Sequence, residues 1–285
     1  MSGFAGWQAW DDERAREWIA VPGASADKYS RGVLGVRTGS RAYPGAAVLG
    51  VEAAMRTGLG MVRYLGPRRA TSLVLQRRPE IVTAQGRVQA WLLGSGMDAS
   101  ERSPATLEAL EGAFAEGVPV VCDAGALDLV GSHSGPTVIT PHYRELAGLL
   151  SGAGSGRRVD VTPAEIAADP GEWAVRAADL LGVSVLLKGA VTYVASPGGA
   201  RLTVTGAPPW LATAGAGDVL GGILGALFAT HAAALEADAE ACAVLAATAA
   251  LVHGLAAARA SAGGPLVALD VAEAIPATIA ALLRP

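Results

Sequence analysis

The chain has 285 residues, of which 51% are hydrophobic and 17% charged, and this balance excludes an intrinsically disordered protein. The length fits most simply one α/β domain over 1–285, and the net charge of −4 lacks the basic excess that nucleic-acid binding requires. The two cysteines have no metal-ligand spacing, and residues 1–25 carry acidic side chains instead of the apolar core of a signal peptide. We therefore expect a reduced, cytoplasmic protein with no nucleic-acid or membrane partner.

The N-terminal extension, 1–25, holds three of the six tryptophans, Trp7, Trp10 and Trp18. Mixed acidic, basic and apolar residues over 4–19 predict a short helix whose apolar stripe docks on the body of the protein or on another subunit. Packing explains these tryptophans more simply than stacking on a cofactor does.

Alternating strand and helix patterns follow this extension. Residues 32–38 predict a first strand, 45–55 a helix that begins beside Pro44, and 61–65 a second strand. Such a unit builds a parallel sheet with helices on its faces. The pattern continues with strands at 89–93, 118–122, 137–140 and 183–187, helices at about 103–116 and 163–182, a polar loop at 152–158 and a hairpin of strands 191–195 and 200–205.

Two apolar segments near the C-terminus are predicted to be buried helices. The run 219–235 is the most hydrophobic, but His231 interrupts it and it is rich in alanine and glycine, so we do not interpret it as a membrane span. The alanine-rich segment 241–260 predicts a second helix, in which we assign His253 a structural role.

Polar side chains follow several predicted strands, at the positions where open α/β sheets bind ligands. Asp123 follows one strand and either lines a site or caps the next turn, and His142 follows another, with the acid Glu145 close behind. The chain has twenty arginines but only two lysines, Lys28 and Lys188, which indicates positions that need a compact ammonium group. Lys188 ends a strand and precedes a glycine, where it is well suited to reach a phosphate.

The segment from Gly215 to Asp218 places glycines and a carboxylate directly before the apolar run. Small residues allow a tight turn, and the first N–H groups of a helix attract anions such as phosphate. Gly215, Ala216 and Gly217 thus predict an anion hole, with Asp218 beside it as a base or a metal ligand. The alternative is that Asp218 only caps the helix.

Seven short motifs, taken together and in order, point to one protein family. They are K-Y-S-R-G at 28–32, T-G-S-x-x-Y-P-G-A-A at 38–47, G-S-G-M at 94–97, D-A-x-A-L at 123–127, T-P-H-x-x-E at 140–145, L-K-G-A-V-T at 187–192 and L-A-T-A-G-A-G-D-V-L-G-G at 211–222. Over about residues 27–260 the chain resembles the ADP-dependent NAD(P)H-hydrate dehydratases of the ribokinase-like superfamily.

The resemblance implies a three-layer α/β/α sandwich around a mostly parallel sheet, and a repair reaction. Enzymes of this family use ADP to phosphorylate the ring hydroxyl of the S epimer of hydrated NADH or NADPH, and then expel phosphate with help from the ring nitrogen. The products are NADH or NADPH, AMP and phosphate. Mg²⁺ is implied as a cofactor, with no ligands that the sequence identifies.

The resemblance also implies roles for individual residues. Asp218 would be the catalytic base, while Ala216, Gly217 and the helix start neutralise the transferred phosphoryl group. The residues that match the AMP-binding positions of the family are Lys188, Gly189, Ala190, Val191, Thr192 and Gly217. The residues that match positions contacting the hydrated nucleotide are Ala46, Gly96, His142 and Asp218.

The sequence departs from the family pattern at two places. Arg144 replaces the glycine of T-P-H-x-G-E, and Pro208-Pro209-Trp210 stands where an asparagine is usual, which leaves the nucleotide preference open. The alternatives to a dehydratase are a kinase of the same fold, acting on a vitamin precursor or a sugar, and a protein that binds nucleotides without turnover.

The resemblance further implies partners. Relatives are commonly homo-oligomers, so we expect a symmetric assembly, a tetramer by resemblance. Many relatives are fused to an epimerase domain, but only about 25 residues precede the first predicted strand here. We therefore expect no epimerase in this chain and a separate epimerase in the same pathway.

Overall fold

The computed structural model describes residues 6–152 and 158–284. Its strands are β1 (Gln8–Ala9), β2 (Val33–Arg37), β3 (Met61–Tyr64), β4 (Ala90–Leu93), β5 (Val120–Cys122), β6 (Thr137–Ile139), β7 (Ser184–Leu187), β8 (Thr192–Ala195) and β9 (Arg201–Val204). Its α-helices are α1 (Asp12–Glu17), α2 (Pro44–Thr57), α3 (Arg68–Arg77), α4 (Pro104–Ala115), α5 (Tyr143–Ser151), α6 (Pro163–Ala168), α7 (Pro170–Leu181), α8 (Ala216–Thr230), α9 (Ala232–Ala237), α10 (Ala241–Ser261) and α11 (Ala268–Leu282). The loop predicted at 152–158 lies, apart from its first and last residues, outside the described residues.

The strands form one nine-stranded sheet in the order β1-β9-β8-β7-β6-β5-β4-β2-β3. Among the described strands, β8 alone runs against its neighbours, because β7, β8 and β9 are joined as antiparallel pairs while the other neighbouring pairs are parallel. The mostly parallel sheet expected from the sequence is thereby confirmed. The carboxyl ends of the parallel strands meet at one edge of the sheet, where ligand sites of such folds lie.

Side chains of the central strands alternate between two cores. Leu34 and Leu92 belong to the core that α2, α8, α10 and α11 cover, whereas Val33 and Leu93 belong to the core that α4, α5 and α7 cover. The sheet is therefore buried on both faces, as parallel sheets require. This arrangement confirms the three-layer α/β/α sandwich.

The N-terminal extension differs from the prediction. Instead of one helix over 4–19, its described part forms the short strand β1, which pairs in parallel with β9, and then α1. The buried Trp10 donates its Nε1 hydrogen to Thr248 Oγ1 at 3.1 Å, and Trp7 packs edge-on against Tyr193. The extension thus docks on the body of its own chain, which is the first of the two alternatives.

Other elements also differ from the prediction. The helix predicted over 163–182 is two helices, α6 and α7, because Pro170 lacks the N–H that would continue α6 and instead begins α7. Helices α3, α5 and α11 were not predicted, and α11 contains Pro276, which obscures its helical pattern. The apolar run 219–235 is divided between α8 and α9.

The helix α10 is the one helix, among the residues that the structure describes, that is long and apolar enough to cross a membrane by length and composition. It lies inside the molecule, with 83% of its most apolar window buried, and core helices of this kind pass the same test. The helix α8 is buried along most of its length. Both segments are thus buried helices, as predicted.

Candidate active site

Polar side chains from four strand ends meet around the carboxylate of Asp123, which follows β5. Thr140, which follows β6, donates its hydroxyl to Asp123 Oδ1 at 2.8 Å, and Ser95, which follows β4, donates to Oδ2 at 3.0 Å. Lys188, which follows β7, donates from Nζ to Oδ1 at 3.0 Å. These bonds, and not a helix cap, occupy the buried Asp123 side chain. Of its two possible roles, the structure favours lining the site.

The ammonium group of Lys188 lies between two carboxylates. Its Nζ is 3.0 Å from Asp123 Oδ1 and 3.6 Å from Glu145 Oε2, and its side chain is 21% exposed. Burial alone would lower the pKa of Lys188, but the two carboxylates outweigh burial and the pKa is raised. A Cβ on Gly217 would lie 3.6 Å from Nζ. A cation that stays charged at neutral pH therefore stands at the start of α8.

Helix α8 begins without a cap from any side chain in the described residues. Its first flanking residue, Gly215, has a left-handed φ of 87°, and a Cβ there would lie 2.5 Å from Leu49 Cδ1 and 3.0 Å from Ala268 Cβ. Only glycine fits this position. The first N–H groups of the helix point out of it with no side-chain acceptor, at the positive end of the helix dipole. These are the properties expected of the anion hole at Gly215, Ala216 and Gly217.

Asp218 stands half-buried in the first turn of α8. Burial raises the pKa of its carboxyl group to about 7, the negative charge of Asp123 acts in the same direction, and Lys188 opposes both. The capping role considered for Asp218 is wrong, since no side chain in the described structure caps α8. A carboxylate with a pKa near neutrality can take up and release a proton at pH 7, as a general base must.

His142 caps α5 and sits beside Lys188. Its Nδ1 accepts the N–H of Glu145 at 3.1 Å, and Glu145 Oε2 accepts the N–H of His142 at 2.8 Å. Because Nδ1 is an acceptor, the neutral ring carries its hydrogen on Nε2, and the side chain is 52% exposed. The backbone N–H of Lys188 donates to Pro141 O at 2.9 Å, which fixes the two site residues side by side. His142 can therefore donate a hydrogen bond to a ligand at this edge.

Ala46 and Gly96, both predicted to contact the hydrated nucleotide, touch each other. A Cβ on Gly96, which has a φ of 68°, would lie 2.3 Å from Ala46 Cβ and 3.3 Å from Gly39 Cα. The N–H of Gly39 donates to Ser95 O at 2.7 Å, and the Ser95 hydroxyl bonds Asp123. This strip of small residues thus leads directly to the Asp123 carboxylate, and its small side chains let a ligand approach the backbone.

The remaining predicted nucleotide-binding residues form the loop between β7 and β8, apart from Thr192, which is the first residue of β8. Gly189 and Ala190 are exposed, and Val191 and Thr192 are half-buried. The hydroxyl group of Tyr143 lies under this loop, since a Cβ on Gly189 would stand 2.3 Å from it. Gly189 is therefore required for the loop to rest on Tyr143, and the loop exposes its backbone at the end of β7.

Lys28 does not belong to this group. Its backbone carbonyl packs on Gly60, just before β3, where a Cβ would lie 2.0 Å away. The beginning of β3 is at the opposite edge of the sheet from Lys188, so only one of the two lysines reaches the site.

Conversely, Ser95 and Thr140 belong to the site, but the sequence analysis did not single them out. Their signal was available, because Thr140 directly follows β6 and Ser95 lies two residues past the end of β4.

The two departures from the family pattern lie at the surface. Arg144 is exposed at the second position of α5 and leaves the capping box of His142 and Glu145 intact. Trp210 lies in a three-residue 3-10 turn after Pro208 and is 49% exposed. This turn leads into the loop before Gly215.

The described residues contain no group of three or more His, Cys, Asp or Glu side chains that could hold a metal ion. The oxygens of Asp123 already accept hydrogen bonds from two hydroxyls and an ammonium group. Mg²⁺ requires six oxygen ligands and commonly takes several from substrate phosphates and water. Within the part of the chain that the structure describes, the side chains do not form a magnesium site by themselves.

Comparison with known proteins identifies the family. The family model for NAD(P)H-hydrate dehydratase matches residues 34–276. The bifunctional NAD(P)H-hydrate repair enzyme Nnr of Mycobacterium tuberculosis (strain H37Rv) is 43% identical over 232 residues, which are 76% of this chain and 44% of that protein. The ADP-dependent (S)-NAD(P)H-hydrate dehydratase of Neisseria meningitidis serogroup B is 34% identical over 224 residues, 72% of either chain. The chain thus spans less than half the length of the bifunctional relative.

A solved structure extends the comparison to the fold. The ADP/ATP-dependent NAD(P)H-hydrate dehydratase of Bacillus subtilis, co-crystallised with ATP and Mg²⁺, superposes with a TM-score of 0.81 and covers 97% of this chain and 99% of its own. At 23% identity this likeness shows the fold alone, which is ribokinase-like. The match of the family model over most of the chain decides the family. The chain belongs to the NAD(P)H-hydrate dehydratase family.

Proposed function

We propose that the protein is a lyase that dehydrates the S epimer of hydrated NADH or NADPH with ADP, giving NADH or NADPH, AMP and phosphate. One observation carries the proposal. Asp218, with a pKa of about 7, stands in the uncapped first turn of α8 beside the charged Lys188. A base, an anion-binding turn and a cation together are what phosphoryl transfer to a hydroxyl requires.

In the first step Asp218 takes the proton of the ring hydroxyl, and the hydroxyl oxygen forms a bond to the β-phosphorus of ADP. The bond between that phosphorus and the bridging oxygen breaks, and AMP leaves. The N–H groups at the start of α8 and the Lys188 ammonium stabilise the charge on the transferred group. In the second step the lone pair of the ring nitrogen expels phosphate, and loss of a proton from the neighbouring carbon restores the double bond.

The binding roles follow the geometry of the strand ends. The loop from Lys188 to Thr192, together with Gly217, would hold the nucleotide phosphates and ribose. The contacting pair of Ala46 and Gly96 would receive the hydrated ring, with His142 Nε2 as a hydrogen-bond donor. The relative from Neisseria meningitidis carries the name of an ADP-dependent enzyme, and the Bacillus subtilis protein that of an ADP/ATP-dependent one. These names support ADP as the co-substrate.

Mg²⁺ would enter with the nucleotide. Bound to the phosphates it would neutralise their charge, as in other phosphoryl-transfer enzymes. The Bacillus subtilis structure was obtained with ATP and Mg²⁺. Because the described carboxylates form no metal cluster, the steps above are assigned to Asp218, Lys188 and the backbone of α8.

The test is the recovery of nicotinamide absorbance when the protein meets Mg²⁺, ADP and hydrated NADH. Asp218→Asn keeps the size of the side chain but removes the proton acceptor, so the rate should fall by about 10²–10⁴-fold. Binding of AMP and the melting temperature should stay close to wild type. A variant that keeps more than about a tenth of the rate has lost only about 1.4 kcal/mol of barrier stabilisation, and it would remove Asp218 from the base role.

The same assay separates the alternative function. A kinase of this fold would transfer phosphate to an alcohol without restoring the absorbance.

The specificity for the S epimer has its own test. A mixture of both hydrate epimers should be consumed in a fast phase and then a slow one, and added epimerase should abolish the slow phase. Single-phase consumption would contradict the specificity for the S epimer.

The proposal also covers the compartment, the partner enzyme and the assembly. We propose a cytoplasmic enzyme that works with a separate epimerase and assembles as a homo-oligomer, a tetramer by resemblance. Cys122 and Cys242 are buried and free, which supports a reducing compartment. No nucleic-acid or membrane partner is proposed.

A further inference from the structure

A cavity of about 240 Å³ lies at the carboxyl ends of β2, β3 and β4 and has no part in the steps above. Arg37, the last residue of β2, lines it together with residues 65–67, which follow β3, and Met97, four residues past the end of β4. The first turn of α4, with Ala105 and Thr106, forms another part of its wall. We call this space the Arg37 cavity.

Among the described residues that line the cavity, Arg37 alone carries a charge. Its Nη1 donates to Leu65 O at 3.1 Å, its guanidinium group lies 5.3 Å from the centre of the Trp91 ring, and its Nε is buried without a partner in the described structure. Burial lowers the pKa of Arg37, and the charge of Glu116, whose carboxylate binds Trp91 Nε1, opposes this. A half-buried cation costs free energy that a bound anion would recover.

Two helices begin at the Arg37 cavity. Helix α3 begins after Pro67 with no side-chain cap in the described residues, and α4 begins after its cap, Ser103. Neither helix has an acidic residue in its first turn, where acids are favoured, and α3 instead begins with the exposed Arg68 and Arg69. The positive ends of two helices and the guanidinium group of Arg37 thus meet at one cavity, whose chemistry fits an anion.

The Arg37 cavity is too far from the proposed ADP site to hold the same phosphates. In the sheet order β7-β6-β5-β4-β2, four strand spacings separate β2 from β7, which Lys188 follows, or about 19 Å at about 4.8 Å each. The cavity instead adjoins the proposed place of the hydrated ring, because Met97 directly follows Gly96. The N–H of Gly94 donates to Arg37 O at 3.1 Å, which ties the end of β2 to this turn.

We propose that the Arg37 cavity is an anion subsite for the hydrated dinucleotide, in which Arg37 and the starts of α3 and α4 bind a phosphate group that lies outside the reacting ring. The inference rests on the proposed function, because it takes its ligand from the substrate of that reaction. The dinucleotide carries a diphosphate in both forms and a 2′-phosphate in NADPH alone. A planar guanidinium group can donate two parallel hydrogen bonds to either one.

The test measures the binding of NADPH and of NADH, the products, by their fluorescence at saturating AMP, which needs no turnover. AMP fills the proposed ADP site, so the titration reports the dinucleotide site. Arg37→Met removes the charge, and we expect it to weaken NADPH binding about tenfold to a hundredfold. Arg37→Lys keeps the charge and should lose less. An equal loss for NADH assigns the cavity to the diphosphate, and a loss confined to NADPH assigns it to the 2′-phosphate.

A matched control lies on the neighbouring strand β3. Arg63 is also half-buried, its Nε is also buried without a partner in the described structure, and its Nη1 donates to Ala84 O at 3.0 Å, but it does not line the cavity. Arg63→Met should leave both affinities unchanged. If Arg37→Met binds NADPH and NADH like wild type, or if Arg63→Met weakens them equally, the proposal is wrong.

A second variant tests the cavity with Arg37 in place. Ser103 Oγ accepts the N–H of Thr106 at 3.2 Å, so Thr106→Glu would complete a capping box and favour α4. The new carboxylate in the cavity wall should weaken NADPH binding by at least about fivefold, because it repels a phosphate. The melting temperature should stay equal or rise. Wild-type affinity in Thr106→Glu overturns the proposal, even if Arg37→Met does not fold.

The two proposals fail in different ways. If the wild-type protein does not restore the absorbance of hydrated NADH, the dehydratase proposal falls, while a loss of NADPH binding in Arg37→Met would still support the anion subsite. If the absorbance is restored but Arg37→Met and Thr106→Glu bind both dinucleotides like wild type, only the anion subsite falls.

Discussion

The carboxyl group of Asp218 sets the pH range of the proposed reaction. Burial raises its pKa to about 7, and the base works only when deprotonated. The value of kcat/KM, which reports the unliganded enzyme, should therefore rise with pH, reach half its maximum near pH 7, and level off above about pH 8. A pH profile of kcat/KM measures this. A flat profile between about pH 5.5 and 8 would show that the proton acceptor is another group.

Lys188 has two measurable effects, one on ADP and one on Asp218. Lys188→Met removes a charge-assisted contact and should weaken ADP binding by about 1.5–3 kcal/mol. It also removes the cation that lowers the pKa of Asp218, so the midpoint of the pH–rate profile should move upward. Lys28→Met is the matched control, because Lys28 is exposed at the opposite edge of the sheet. An unchanged ADP affinity, or a midpoint that moves downward, would contradict this role.

The strand ends around the site were predictable because strand and helix periods are local signals. Asp123 and Lys188 directly follow buried strands and His142 lies three residues past the end of β6, and in a parallel sheet those ends meet at one edge. The sequence could not show that Asp123 would bind Lys188 across the intervening strand β6, since that contact depends on strand order.

Elements held by tertiary contacts escaped prediction for the same reason. The strand β1 is two residues long, which is too short for any periodicity, and it exists because β9 pairs with it. Helix α3 carries no acidic residue in its first turn and no side-chain cap, so no sequence signal marks its start. Arg77, its last residue, and Arg78, which follows it, bind Glu52 of α2.

Glu52 of α2 binds arginines at the end of α3, and we expect the packing of these two helices to depend on its carboxylate. Its side chain is 0% exposed, and Arg56 and Arg78 each contact it at 2.5 Å. Burial alone would raise the pKa of Glu52, but Arg78, Arg56 and Arg77 lower it to about 2. Glu52→Gln removes the buried counter-charge that Arg56, Arg77 and Arg78 share, and leaves only the exposed Glu273 and Glu80 as partners of Arg77 and Arg78. It should lower the free energy of unfolding by about 3 kcal/mol at pH 7.

The pH dependence and a control make this prediction specific. Because the folded pKa of Glu52 is depressed, its contribution is present above about pH 4.5 and is lost as the pH falls toward 2. The difference between wild type and Glu52→Gln in urea unfolding should therefore shrink below about pH 4. Glu273→Gln removes the exposed partner of Arg77 and should cost less than about 1 kcal/mol. Equal losses in the two variants would contradict a special role for Glu52.

At the scale of the whole molecule, the assembly remains a prediction. The tryptophans of the N-terminal extension pack on their own chain, where Trp10 binds Thr248 and Trp18 contacts His231, so they no longer argue for a second subunit. The expectation of a symmetric homo-oligomer now rests on the family. Light scattering at micromolar concentration should give a multiple of 28.6 kDa, and a mass of one chain would refute it.

The pairing of β1 with β9 also determines which backbone groups are exposed at that edge of the sheet. Without β1, the strand β9 would display a row of unpaired N–H and C=O groups, and such a row recruits strands from neighbouring chains into aggregates. The two residues of β1 are too few to offer a template of their own, and the turn into α1 ends the ladder there. The short N-terminal strand thus protects the β9 edge of the sheet from pairing with strands of other chains. This role is separate from the chemistry at the carboxyl ends of the strands.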